Sequence, residues 1–128
     1  MFEIPEHVVA FLREYIDSVD QVEILLLLKS KSGSECTAED ISRSLSTPAA
    51  SVASRLAHFH AVGLVDMKPG AVPQYQYRPK SADLEQAVQD LEQAYAKYRV
   101  RLINLIYSKP IDKIRTFADA FKFRKEDS

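Results

Sequence analysis

One cysteine, three glycines and no long apolar run remove several classes of protein before any motif is read. Cys36 alone can build neither a disulfide framework nor a cysteine-based metal site within one chain. Gly33, Gly63 and Gly70 each fall at an expected turn or helix end, so no glycine-rich loop is left to cradle a phosphate. The longest apolar stretch, Val22 to Leu28, is too short to span a bilayer. The opening Met1 to Glu6 lacks the basic region and apolar stretch of an export signal, which makes a cytoplasmic protein the expectation. Histidine is equally sparse. His58 and His60 stand two apart on an expected helix, so their rings point roughly 200° apart and cannot grip one metal, and His7 is distant in sequence. No serine or cysteine stands in a nucleophile context. The expectation is therefore a protein without catalytic residues, metal or cofactor.

What is present fits one small globular unit, with 46% hydrophobic and 27% charged residues. The net charge of −1 conceals a segmental pattern. Residues 1–36 carry seven acidic against three basic side chains, and residues 37–80 carry three against five. Residues 81–93 carry four acidic and no basic side chains, and residues 94–128 carry four against nine. Phosphate attraction depends on the local patch, so residues 37–80 can attract nucleic acid while the whole chain predicts modest non-specific affinity and strong salt sensitivity.

That same segment carries the clearest pattern. Thr37 can cap a helix in which Asp40, three residues on, completes a capping box and Ala38, Ile41 and Leu45 repeat at helical spacing. Ser46-Thr47-Pro48 interrupts it. Thr47 can cap a second helix with Pro48 as its first residue, and Val52, Leu56 and Phe59 then form one buried stripe. Gly63 suits a left-handed residue after a helix that ends near Val62. Ala49, Ser51, Ser54, Arg55 and His58 are the residues expected to face outward, Arg55 being the one strongly basic side chain among them.

After Gly63, Leu64 to Lys68 and Gln74 to Arg78 both alternate in polarity, and Pro69-Gly70 can hold the centre of a type II turn. Two short helices, a tight break and a hairpin form the order of a winged helix-turn-helix. The runs Ser51-Val52-Ala53-Ser54-Arg55-Leu56 and Ala61-Val62-Gly63-Leu64-Val65 resemble the recognition helix and its exit in the MarR, ArsR and PadR winged-helix transcriptional regulators. The resemblance covers residues 20–107. It implies a double-stranded DNA partner, with the second helix in the major groove and the wing on the backbone. Ser51, Ser54, Arg55 and His58 would then meet base edges, while Arg43, Lys68 and Arg78 hold phosphates.

Flanking segments complete the expected architecture. Pro5 can start a helix with Val8, Phe11, Leu12, Tyr15 and Ile16 on one face. Ser18 and Gln21 form a second capping-box signature ahead of Val22 to Leu28, which favours a helix over a buried strand there. Lys31 to Ser34 ends that helix, and Glu35-Cys36 is long enough for a short edge strand. Downstream, Ser81 can cap a helix with Asp83 and Glu85 in its first turn. Leu84, Val88, Leu91, Tyr95, Tyr98, Leu102 and Leu105 then repeat at alternating spacings of four and three, a heptad seam. A helix from Leu84 to Tyr107 would run roughly 35 Å. The same helix of a second copy can cover it, giving a homodimer, and packing on the chain's own first helix is the alternative.

The fold expected is thus mainly α with a small β-wing. It is a winged helix-turn-helix over residues 1–80, flanked by an N-terminal helix and by a long C-terminal dimerisation helix with a basic tail, residues 81–128. In that tail Pro110 restarts a helix with Ile111, Ile114, Phe117, Ala118 and Phe121 on one side and Lys113, Arg115, Lys122, Arg124 and Lys125 around it. It can fold back on the dimer, bind a partner protein or meet an anionic surface. Tyr75, Tyr77, Tyr95 and Tyr98 can either pack the core or line a small-molecule effector pocket. The alternative function is a winged-helix protein–protein interaction module without sequence-specific DNA binding.

Overall fold

The computed structural model describes residues 4–108, so the tail helix expected from Pro110 to Ser128 lies outside the described residues. Two helices come first. Helix α1 (Glu6–Tyr15) starts behind Pro5, whose carbonyl accepts from the amides of Val8 and Val9, and it buries Val8, Phe11 and Leu12. Helix α2 (Val19–Ser30) follows Ser18, whose amide donates to the Gln21 side chain at 3.3 Å. Gln21 is buried, and its carbonyl oxygen also accepts from the Asp17 amide. A further amide of this helix start, that of Val19, donates to the Tyr107 hydroxyl at 3.2 Å, so a residue near the C-terminal end of the described chain satisfies a donor the helix cannot. Because Val22, Ile24, Leu25 and Leu28 are buried on several sides, α2 is the central helix rather than a surface one. Each such leucine or isoleucine contributes roughly 1.5–3 kcal/mol by leaving water.

The helix-turn-helix forms as its local signals dictate. In α3 (Ala38–Leu45) the Thr37 hydroxyl accepts from the Asp40 amide at 3.1 Å, and the Thr37 amide donates to the Asp40 carboxylate at 3.0 Å. These bonds favour the ionised carboxylate and hold Asp40 below the usual carboxylate range. The turn is tighter than expected. Ser46 adopts a left-handed conformation at φ 55°, and Pro48 rather than Thr47 occupies the N-cap position of α4 (Ala49–Ala61). The Thr47 hydroxyl instead points back to the Leu45 carbonyl at 3.4 Å, because the left-handed step has already turned the chain. Val52, Leu56 and Phe59 are buried as one stripe. Gly63 takes φ 85° at the helix exit, and the Leu64 amide reaches back to the Phe59 carbonyl at 2.9 Å.

Strands β1 (Val65–Lys68) and β2 (Gln74–Tyr77) pair antiparallel, with Val65 opposite Tyr77 and Lys68 opposite Gln74. Cys36 adds a single bridge to Tyr75, which is all that forms of the expected edge strand. The type II turn is not present. Gly70 has no positive φ, and the strands are joined by the five residues from Pro69 to Pro73 rather than by a two-residue turn centred on Pro69-Gly70.

The expected single long helix is two: α5 (Ala82–Lys97) and α6 (Arg99–Tyr107), broken at Tyr98 with φ −130° and ψ 46°. No proline or glycine marks the break. Arg99 braces it: its guanidinium lies 5.0 Å from the Tyr95 ring centre on α5 and 3.6 Å from the Glu23 carboxylate on α2. Helices α5 and α6 both pack on α1, and Val88, Leu91 and Leu102 of the seam are fully buried inside the chain's own core. Leu84, Tyr95, Tyr98 and Leu105 remain partly exposed. The seam therefore serves intramolecular packing along much of its length.

Candidate nucleic-acid interface

Helix α4 is the second arm of the helix-turn-helix, and the centre of its outward face is almost without polar groups, the exposed His60 lying at its edge. At 100° per residue, Ala50, Ser54, Ala57 and Ala61 lie roughly opposite the buried stripe, and all four are exposed, as is Ala53 beside them. Ser51 is half-buried at one flank. Only the Ser54 hydroxyl offers a hydrogen bond at the centre of this face.

The two larger polar residues expected to point outward are turned toward the body. Arg55 sits only roughly 65° around the helix from the centre of the buried stripe. Its guanidinium Nε lies 3.4 Å from the Asp20 carboxylate on α2, with the side chains 32% and 29% exposed respectively. His58 meets the Tyr15 carbonyl at the end of α1 through Nε2 at 2.9 Å, the ring nitrogen donating. Both contacts fall on the corner between α1 and α2, the same corner that the Tyr107 hydroxyl reaches from α6. Arg55 and His58 therefore set the angle of α4 on its scaffold.

The remaining expected cations do face solvent. Arg43 pairs with Asp40 at 3.2 Å, a contact between two exposed side chains. Lys68 is exposed near the end of β1, and Arg78 pairs with Asp66 at 3.1 Å, again between exposed side chains. Such pairs contribute little to stability and exchange readily for other anions. Two shallow grooves accompany them. One, of about 510 Å³, runs between Lys31, Glu35, Asp40 and Arg43, and the other, of about 370 Å³, lies along the wing between Lys68, Gln74, Gln76 and Arg78. Gln74 and Gln76 are absent from the sequence expectation, although strand alternation with Tyr75 and Tyr77 already placed them on the outer face.

Other chemistry finds no support among the described residues. No group of three histidine, cysteine or acidic side chains is placed to hold a metal, and no helix is long and apolar enough to cross a membrane. Burial pushes the Cys36 thiol up, which suits a packing residue rather than a nucleophile. Tyr75 and Tyr77 are buried on the inner face of the wing, and burial, with Glu85 and Glu92 adding to it, pushes the Tyr77 phenol up to about 12. The Tyr95 hydroxyl donates to Glu23 at 3.4 Å. None of the four tyrosines lines either groove.

No family model and no curated protein matches the chain. Solved structures do. A point mutant of MarR from E. coli is 17% identical, aligns over 91% of this chain and 87% of its own, and superposes with a TM-score of 0.50. A point mutant of MepR from S. aureus, bound to an oligodeoxyribonucleotide, is 12% identical over 96% of this chain and 91% of its own, also with a TM-score of 0.50. Among the described residues, six helices, a helix-turn-helix and a two-stranded wing thus give this protein the MarR-like winged helix-turn-helix fold.

Proposed function

We propose that the protein is a DNA-binding transcriptional regulator that acts as a homodimer and carries out no catalysis. The observation that carries this reading is the placement of α4. It packs on α3, β1 and α2 through its buried stripe and leaves its opposite face to solvent, with small side chains that let its backbone come close to a duplex. Arg43 on α3 and Lys68 and Arg78 on the wing supply the charge beside it. The DNA in the MepR structure supports the same reading by analogy of fold. Ser54 contacts DNA directly and Ser51 does so from the flank, while Arg55 and His58 act by positioning α4.

Dimerisation falls to the part of α5 and α6 that the chain leaves open. The open part comprises the half-buried Leu84, Tyr95, Tyr98 and Leu105 and, on the side of α6 away from Leu102, Val100 and Tyr107, which are 73% and 56% exposed. Val88, Leu91 and Leu102 support it from beneath. Selection from a random duplex library tests the reading, because a two-fold dimer should enrich an inverted repeat. Return of no enriched sequence would count against it.

A second reading rests on the alanine face of α4. With one hydroxyl and with Arg55 engaged by Asp20, that face suits an apolar surface of a partner protein as well as a groove. Binding to a protein in the absence of any duplex affinity would favour it.

A further inference from the structure

We propose that base recognition lies on the outer face of the wing, with Gln74 and Gln76 as the specificity-determining side chains, and that the ribbon enters the major groove. The inference rests on the DNA-binding reading and assigns its sequence readout to a different element. Reading a base edge takes paired donors and acceptors. The centre of the α4 face has the Ser54 hydroxyl and four alanines, and its one arginine is held by Asp20.

The wing supplies what α4 lacks. Alternation along the paired strands turns Val65, Met67, Tyr75 and Tyr77 toward the helices and Asp66, Lys68, Gln74 and Gln76 away from them. Among the described residues, neither the Gln74 nor the Gln76 amide is engaged in a side-chain hydrogen bond. Each offers a carbonyl acceptor beside an amino donor, which is the pairing that matches N6 and N7 of adenine in the major groove. The facing carboxylate does not compete for Gln76, because Asp66 is taken up by Arg78 at 3.1 Å.

Spacing and charge agree with this role. Residues two apart on a strand lie about 6.7 Å apart, and two steps along B-DNA cover about 6.8 Å, so the amides fall in register with alternate bases. The groove they line also holds Lys68, Arg78, Asp66 and Glu35, two cations and two carboxylates. A balanced surface of that kind attracts phosphates weakly, but it suits base edges, which present donors and acceptors together. A two-stranded ribbon fits the major groove, and the alanines of α4 then allow that helix to rest close against the flanking backbone.

Duplex selection at about 0.15 M salt, run on the full chain as wild type, Gln74→Ala, Gln76→Ala and Ser54→Ala, tests the assignment. Wild type should enrich a half-site with two adenines two steps apart. Each glutamine variant should lose the preference at one of them, with an unchanged melting temperature, while Ser54→Ala, which removes a contact to the flanking backbone, should bind more weakly yet keep both preferences. Placing 7-deazaadenine at either position should weaken wild-type binding about tenfold and leave the matching variant unaffected, since only the major-groove N7 is removed. Glutamine variants that keep the wild-type preference, or a loss confined to Ser54→Ala, would overturn the assignment while leaving DNA binding intact. Enrichment of nothing by the wild type would overturn both.

Discussion

The role of Arg55 is decided by its contact with Asp20, and the two residues can be separated experimentally. Their side chains meet at 3.4 Å and are 32% and 29% exposed, so water still screens the pair. An ion pair in that setting contributes about 0.5–1 kcal/mol, well below the several kcal/mol of a dry one. Asp20→Ala should therefore lower the melting temperature by roughly 4 °C. It should also release the only arginine of α4 toward solvent, where it can meet a phosphate. One added phosphate contact steepens the plot of log affinity against log salt by about 0.9 for duplex DNA. Arg55→Ala should destabilise to a similar extent yet leave that slope as in wild type, and the double variant should match Arg55→Ala. Fluorescence anisotropy with a labelled duplex across a salt series, alongside thermal melts, measures both quantities. A flatter slope in Arg55→Ala with no loss of stability would refute the reasoning and return Arg55 to the DNA.

Three further outcomes follow from the geometry. Asp40 is held below its ordinary value by the Thr37 bonds, so its contribution is complete above the unfolded carboxylate range and disappears as pH falls through the lowered folded value. Melting temperatures of wild type and Asp40→Asn should therefore differ at pH 6 and converge in acid; a gap that widens in acid would contradict the sign. Gly63→Ala should cost about 1–2 kcal/mol in urea unfolding, since φ is 85° and a Cβ would press on the Lys80 side chain, whereas Gly70→Ala should be neutral or slightly stabilising, its nearest neighbour being 3.8 Å away. Leu91→Ala should cost about 2–5 kcal/mol as a core cavity, while Val100→Ala should leave the melting temperature within about a degree and weaken self-association measured by sedimentation.

Legibility in the sequence followed the range of the interactions. The helix-turn-helix could be read because its signals are local: Thr37 and Asp40 are three apart, Gly63 directly follows its helix, and the wing strands alternate within five residues each. The Tyr98 break had no such marker, and the contacts holding it come from Glu23 on a distant helix. A heptad seam reports that a face is buried but not by which chain, which is why Val88, Leu91 and Leu102 read as a dimer surface and are buried in the chain's own core. Arg55 looked outward because its helix position is intermediate, and its partner stands 35 residues away. The wing loop misled through Pro69-Gly70, whose composition suits a type II turn that five connecting residues make unnecessary.

That the face formed by α4, Arg43 and the wing binds duplex DNA as part of a two-fold dimer is tested most directly by titrating a labelled duplex of the enriched site with the full chain. The triple variant Arg43→Ala, Lys68→Ala, Arg78→Ala runs in parallel at about 0.1 M salt. Wild type should saturate at two chains per duplex, and the variant should bind with affinity lower by at least about tenfold at an unchanged melting temperature. Binding of the variant as tight as wild type, or saturation at one chain per duplex, would contradict it.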